Sequence, residues 1–130
     1  MTSKLVVDTH AWIEYFLGSE AGGKVAGLVE NGGHEISTSV MTIAEITSTL
    51  KRRNLDADRA LRTVLSLSGV FQIDTEFAAE AGVLHADVRK DVKDIGLADI
   101  FVLLTARKLG AKVVTGDPHF KGFKEAMMIR

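Results

Sequence analysis

Hydrophobic and polar positions along this chain alternate between two patterns. Short β-branched runs recur, and longer segments with helical spacing lie between them. Residues 4–7 (KLVV) read as a strand leading into a helix over about 9–17. A second helix, over about 20–31, stops at Asn31-Gly32-Gly33. A strand over about 34–38 (HEIST) feeds a helix over about 40–53, which Asn54 breaks. The next helix, over about 56–67, carries Ala60, Leu61, Val64, Leu65 and Leu67 at apolar spacing and ends at Gly69. A strand over about 70–73 and a helix over about 75–90 follow. A charged loop, RKDVKD, then leads to a helix over about 97–109 with Gly110 as its cap. A strand over about 112–115, a Gly-Asp-Pro turn and an edge strand in the tail (AMMI) complete the chain.

Strands alternating with helices predict an α/β fold, a three-layer sandwich with a short parallel sheet flanked by helices. Such folds bind ligands outside the carboxyl ends of their strands. Asp8, Asp74 and Asp117 all sit just past predicted strand ends.

Composition narrows the picture. The 130 residues fit one domain, 1–130, with a real core, and 46% hydrophobic content argues against disorder. With no cysteine there is no disulfide framework, no thiolate nucleophile and no zinc–thiolate site. No signal-peptide pattern and no membrane-spanning run is visible, so the expectation is a cytoplasmic, soluble protein with no membrane partner. Net charge is −1, whereas proteins that grip many phosphates are usually basic. A nucleic-acid role therefore needs a local patch or bound metal.

Four carboxylates carry the candidate chemistry. Asp8 taken alone reads as an N-cap, although Ala11 offers no reciprocal capping box. Glu45 shares a mixed helix face with Met41, Ser48 and Arg52, and periodicity leaves solvent and cleft both open. Asp99 lies in GLADIFVLLTA, which is apolar nearly all round and reads as a buried helix. A carboxylate there is costly unless paired, hydrogen-bonded or metal-bound, and the helix N-terminus eases it. Asp117 precedes Pro118 and taken alone is ordinary turn chemistry.

Two of the four lie at strand ends and two near helix starts, places that converge on one edge of a parallel α/β sheet. Crowded carboxylates raise one another's pKa values, and a hard divalent cation such as Mg²⁺ or Mn²⁺ resolves the repulsion. A cation so held lowers the pKa of a bound water and orients it against a phosphodiester. It also lets a net-acidic protein act on a polyanion.

LVVDTHAWI, TIAEI, GLADIFVLLTARKLGA and VVTGDPHF, in that order and spacing, resemble the four motifs of the PIN-domain family, in particular its small VapC-type toxins of toxin–antitoxin pairs. The resemblance runs over about residues 4–120. It implies a PIN-like fold and a Mg²⁺- or Mn²⁺-dependent endoribonuclease, a hydrolase leaving 5′-phosphate and 3′-hydroxyl ends on RNA. Asp8, Glu45 and Asp99 match the family's three main acids and Asp117 its fourth, all as metal ligands. Thr115 matches the hydroxyl residue that orients a carboxylate or water, and Phe120 the apolar residue after the turn.

A small residue commonly follows the family's Asp-Thr pair, and here it is His10, which reads either as a phosphate contact or as facing solvent, the latter preferred. His119 lies beside the proposed site and receives no separate role. Lys51, Arg52 and Arg53 read either as an RNA guide at the cleft edge or as a solvated helix end. The resemblance further implies a homodimer and an antitoxin partner across the first two helices. Trp12, Ile13, Tyr15, Phe16 and Leu17 supply apolar surface for such burial, or in part ordinary core.

A receiver domain would want an acidic pair after the first strand and a lysine after a late one. A haloacid-dehalogenase-type phosphatase would want Asp-x-Asp where this chain has Asp8-Thr9-His10. A PIN-like binding module without toxin role, or an RNA-processing nuclease, remains the alternative. Retention of all four acids argues against the binding module.

Overall fold

A computed structural model of the chain describes residues 3–130. Five strands, β1 (Ser3–Val7), β2 (His34–Ser39), β3 (Gly69–Phe71), β4 (Lys112–Thr115) and β5 (Ala126–Met128), form one sheet in the order β3-β2-β1-β4-β5. Every neighbouring pair is parallel, as for Val6 beside Ser37 and Val7 beside Val114. The helices are α1 (Thr9–Leu17), α2 (Glu20–Val29), α3 (Val40–Arg52), α4 (Ala57–Leu67), α5 (Thr75–Val88) and α6 (Leu97–Leu109).

The pleat of the two central strands divides the core. Leu5, Val7 and Val114 face a cluster built by α1 to α4, with Trp12, Val25, Ile46, Leu50 and Val64. Val6 and Val113 point to the other face, where α5 and α6 contribute Phe77, Ala81, Ile100 and Leu103. Successive strand residues leave on opposite sides, so both faces of the sheet must be covered. The predicted three-layer α/β sandwich is thus the observed one. α1 and α2 meet at Gly22, where an added Cβ would lie 2.0 Å from the Glu14 carbonyl oxygen.

Element ends differ from the sequence reading by a few residues. β3 covers Gly69–Phe71, not 70–73, because Gly69 already pairs with Ser37 and Asp74 is committed to capping α5 through Phe77 N (2.8 Å). α2 stops at Val29, where Asn31 Nδ2 donates to the Gly27 carbonyl (2.6 Å) and the Asn31 side chain accepts from Gly33 N (2.8 Å). α3 gives way to Asn54 in the left-handed region, at φ 58.

Trp12 is wholly buried and Ile13 nearly so. These two belong to the core, not to an exposed stripe, because α1 lies directly on the sheet. Tyr15 and Phe16 pack partly against the same cluster, and Leu17 is exposed. Trp12 Nε1 donates to Thr38 Oγ1 (3.2 Å), which bonds Ser68 Oγ (2.8 Å), which in turn donates to the Val64 carbonyl (2.8 Å). Among the described residues no helix is long and apolar enough to cross a membrane.

Candidate metal centre

The strand order reverses direction between β1 and β4, and crevices form at the carboxyl ends of strands at such a point. Asp8 follows β1 and Asp117 follows β4, so they flank it. α1 and α3 start at this edge because each follows a strand. α6 starts there because it runs back toward the beginning of β4.

Asp8 is 3% exposed. Its backbone N–H continues the sheet by donating to the Val114 carbonyl (3.1 Å), and its Oδ1 accepts from Ala11 N (2.8 Å). The N-cap reading is therefore correct in geometry, and the cap uses only one of the two carboxylate oxygens. Burial pushes the Asp8 carboxyl up to about 7. Hydrogen bonds from the Thr115 side chain and Ala11 oppose this, and the charges of Asp99 and Asp117 add to it.

Thr115 is fully buried and serves both strand-end acids. Its side chain bonds Asp8, and its Oγ1 accepts the Asp117 backbone N–H (2.9 Å). Asp117 caps a 3-10 turn over Pro118–Phe120, its Oδ1 accepting from His119 N (2.9 Å). His119 Nδ1 lies 2.8 Å from the same oxygen. Phe120 is completely buried and anchors the turn in the α5–α6 core.

Asp99 sits in the first turn of α6 and accepts the Gly96 backbone N–H at Oδ2 (3.1 Å). Every residue from Ile100 to Ala106 is buried, but Asp99 itself is half-buried. The apolar surround expected from the sequence begins one residue later, because the helix start projects toward the sheet edge. Partial burial still raises the Asp99 carboxyl, helped by the charges of Asp117 and Glu45, while the Gly96 hydrogen bond and His119 lower it.

Glu45 is exposed and receives a hydrogen bond at Oε1 from Thr9 Oγ1 (2.6 Å). The sequence marks Thr9 only by its place in the Asp-Thr pair. Asp74 does not join the group: it follows the edge strand β3 and serves as the α5 cap.

Asp8 therefore feels the charges of Asp99 and Asp117, and Asp99 those of Asp117 and Glu45, across one edge of the sheet. A carboxylate oxygen from each of Asp99 and Asp117 and a ring nitrogen of His119 all lie within 4.8 Å of one another. Mutually repelling carboxylates, two of them raised, with spare oxygens and close donor atoms, fit a divalent cation.

His10 does not face solvent as expected. It is half-buried, with Nδ1 buried and unpartnered among the described residues. An added Cβ at Gly116 would come within 2.5 Å of its Cε1, so the ring lies flush against the strand-end turn. Lys51, Arg52 and Arg53 are exposed at the far end of α3. At a helical rise of about 1.5 Å per residue, Arg52 lies about 10 Å along the axis from Glu45. Its guanidinium bonds Ser48 and Thr49, which fits a solvated helix end.

The sequence matches the PIN domain family over residues 5–126. No curated protein matches it. Among solved structures it is similar to a toxin–antitoxin complex from Klebsiella pneumoniae, at 20% identity and TM-score 0.74, covering 97% of this chain and 98% of that one. It is similar to DNA-bound VapBC from Salmonella typhimurium, at 21% identity and TM-score 0.72, covering 99% and 100%. It is also similar to VapC20 of Mycobacterium tuberculosis, a sarcin–ricin loop cleaving toxin, at 22% identity and TM-score 0.71, covering 93% and 97%. The order of acids, the sheet that gathers them and a family match over nearly the whole sequence agree, and this chain belongs to the PIN domain family.

Proposed function

We propose that this chain, as a single domain over 1–130, is a divalent-metal-dependent endoribonuclease and the toxin of a toxin–antitoxin pair. The observation that carries the reading is the placement of Asp8 and Asp117 at the carboxyl ends of β1 and β4, with donor atoms of Asp99 and His119 within 4.8 Å of one on Asp117. The similarity to VapBC complexes and to a toxin that cleaves the sarcin–ricin loop supports it.

Asp8, Glu45, Asp99 and Asp117 hold Mg²⁺ or Mn²⁺. A cation bound there supplies charge neutralisation of the phosphodiester and activation of water. Asp8 is the rigid member, fixed by the sheet hydrogen bond to Val114 and the cap on Ala11. Thr115 orients Asp8 and the Asp117 turn together. Thr9 holds the Glu45 carboxylate beside the strand end that carries Asp8. The chain contains no cysteine and needs no side-chain nucleophile. With a net charge of −1, its attraction for RNA rests on the bound metal.

The partners in this reading are RNA, a second copy of the chain and an antitoxin, in the cytoplasm. A groove of about 550 Å³ between α1–α2 and α3–α4, lined by Tyr15, Phe16, Gly22, Leu50 and Leu55, offers surface for either protein partner.

The decisive experiment incubates purified protein with labelled RNA in Mg²⁺, Mn²⁺ or EDTA, beside Asp8→Asn and Asp99→Asn. Cleavage by wild type only, abolished by EDTA, is the expected result. Equal cleavage by all three proteins overturns the site. Growth arrest on expression, relieved by a neighbouring gene product, distinguishes a toxin from a processing nuclease.

A further inference from the structure

Resting on the reading above, we propose that His119 supplies a nitrogen ligand to the cation at this site, beside Asp99 and Asp117, and that the site thereby favours first-row transition-metal ions over Mg²⁺.

Three observations converge on it. A ring nitrogen of His119 and carboxylate oxygens of Asp99 and Asp117 lie within 4.8 Å of one another. Donors about 2.1 Å from one octahedral ion stand roughly 3–4 Å apart, so a small closure, in which Nε2 turns to the ion or Nδ1 exchanges its hydrogen bond to Asp117 for it, brings all three to a single ion. The imidazole is also held in place rather than free. Pro118 opens the 3-10 turn, Phe120 is buried at its end, and both the backbone N–H and Nδ1 of His119 engage Asp117 Oδ1. Finally, the ring remains accessible, with 37% of its side chain exposed.

The chemistry of the donor set sets the preference. Mg²⁺ takes hard oxygen ligands and water, and gains little from imidazole. Affinity of a mixed nitrogen and oxygen site rises from Mn²⁺ through Fe²⁺ to Co²⁺. A site made of carboxylates and water alone suits Mg²⁺ and Mn²⁺ and discriminates less. His119 therefore biases an otherwise acidic pocket without adding charge to it.

The test uses metal binding by the intact protein, not cleavage. Wild type and His119→Gln are titrated calorimetrically with Mg²⁺, Mn²⁺ and Co²⁺, and the Mn²⁺ complexes are examined by pulsed EPR for ¹⁴N coupling. Metal-free melting of both proteins checks that the variant folds. The expected result is ¹⁴N coupling in wild type that disappears in His119→Gln. Co²⁺ affinity should fall about tenfold or more, the range of even outer-shell losses, while Mg²⁺ affinity changes less than twofold. Binding without ¹⁴N coupling in wild type, or equal loss for Mg²⁺ and Co²⁺, overturns the ligand assignment and leaves His119 a residue that positions Asp117. Failure of wild type to bind any of the three ions overturns the nuclease reading together with it.

Discussion

Thr9 and Glu45, 36 positions apart, are joined by a 2.6 Å hydrogen bond from the threonine hydroxyl to the carboxylate. Thr9 opens α1 immediately after Asp8, and Glu45 projects from α3. The bond ties an exposed glutamate to the residue next to the most buried acid of the site. It thereby places the exposed Glu45 carboxylate next to a strand-end acid, Asp8, that is itself buried.

Thr9→Val should release Glu45. Because the pair is exposed, folding stability should change by less than about 1 kcal/mol. Mn²⁺ affinity should fall about tenfold, as for other groups that orient a ligand. Thr9→Ser, which keeps the hydroxyl, should retain it. Calorimetric titration of the three proteins checks this, and unchanged affinity in Thr9→Val would remove Thr9 from the site.

Asp8 makes the metal-free fold pH-sensitive in a defined direction. Its carboxyl has a pKa of about 7 when folded against an ordinary 3.8, so between those values the folded chain keeps a proton the unfolded chain has released. Stability from this group is complete below about pH 4 and is lost as pH rises through about 7, by up to about 4 kcal/mol. Asp8→Asn keeps the cap on Ala11 N but removes the buried charge. In EDTA at pH 7.5 it should melt at least about 3 °C above wild type, while at pH 4 the difference should shrink. A variant that melts lower at pH 7.5 contradicts this account.

The relay from Trp12 through Thr38 and Ser68 to the Val64 carbonyl links α1, β2 and the end of α4. Thr38→Val leaves the fully buried indole N–H without its acceptor, which costs about 1–3 kcal/mol. Urea denaturation should show the loss, with metal affinity of the folded protein unchanged. A neutral effect would mean that Trp12 finds another partner.

Gly116 is required by His10, not by its own backbone angles. Gly116→Ala places a methyl group within 2.5 Å of His10 Cε1 and should cost about 1–3 kcal/mol. Combining it with His10→Ala, which removes the ring, should return much of that loss. The double-mutant cycle on unfolding free energy should therefore be non-additive by at least about 0.5 kcal/mol. Additive effects would show that the ring does not rest on the turn.

The alternating periodicities determined the element order, and with it the parallel sheet and its covered faces. Those signals are local: β-branched runs and helical apolar spacing depend only on near neighbours in sequence. Asp8, Glu45, Asp99, Asp117 and Thr115 were legible as candidates because strand ends and helix starts meet at one edge of such a sheet. Tertiary structure alone decided how they are held. It set Thr9 on Glu45, laid His10 against Gly116, brought His119 to Asp99 and Asp117, and left Asp99 half-buried at the mouth of an apolar helix. It also turned Trp12 into the core, where an amphipathic count could not choose between a partner and the sheet. The physical reason is the same in each case. Long-range contacts form between residues whose local patterns carry no information about one another, and packing against the sheet selects which of them meet.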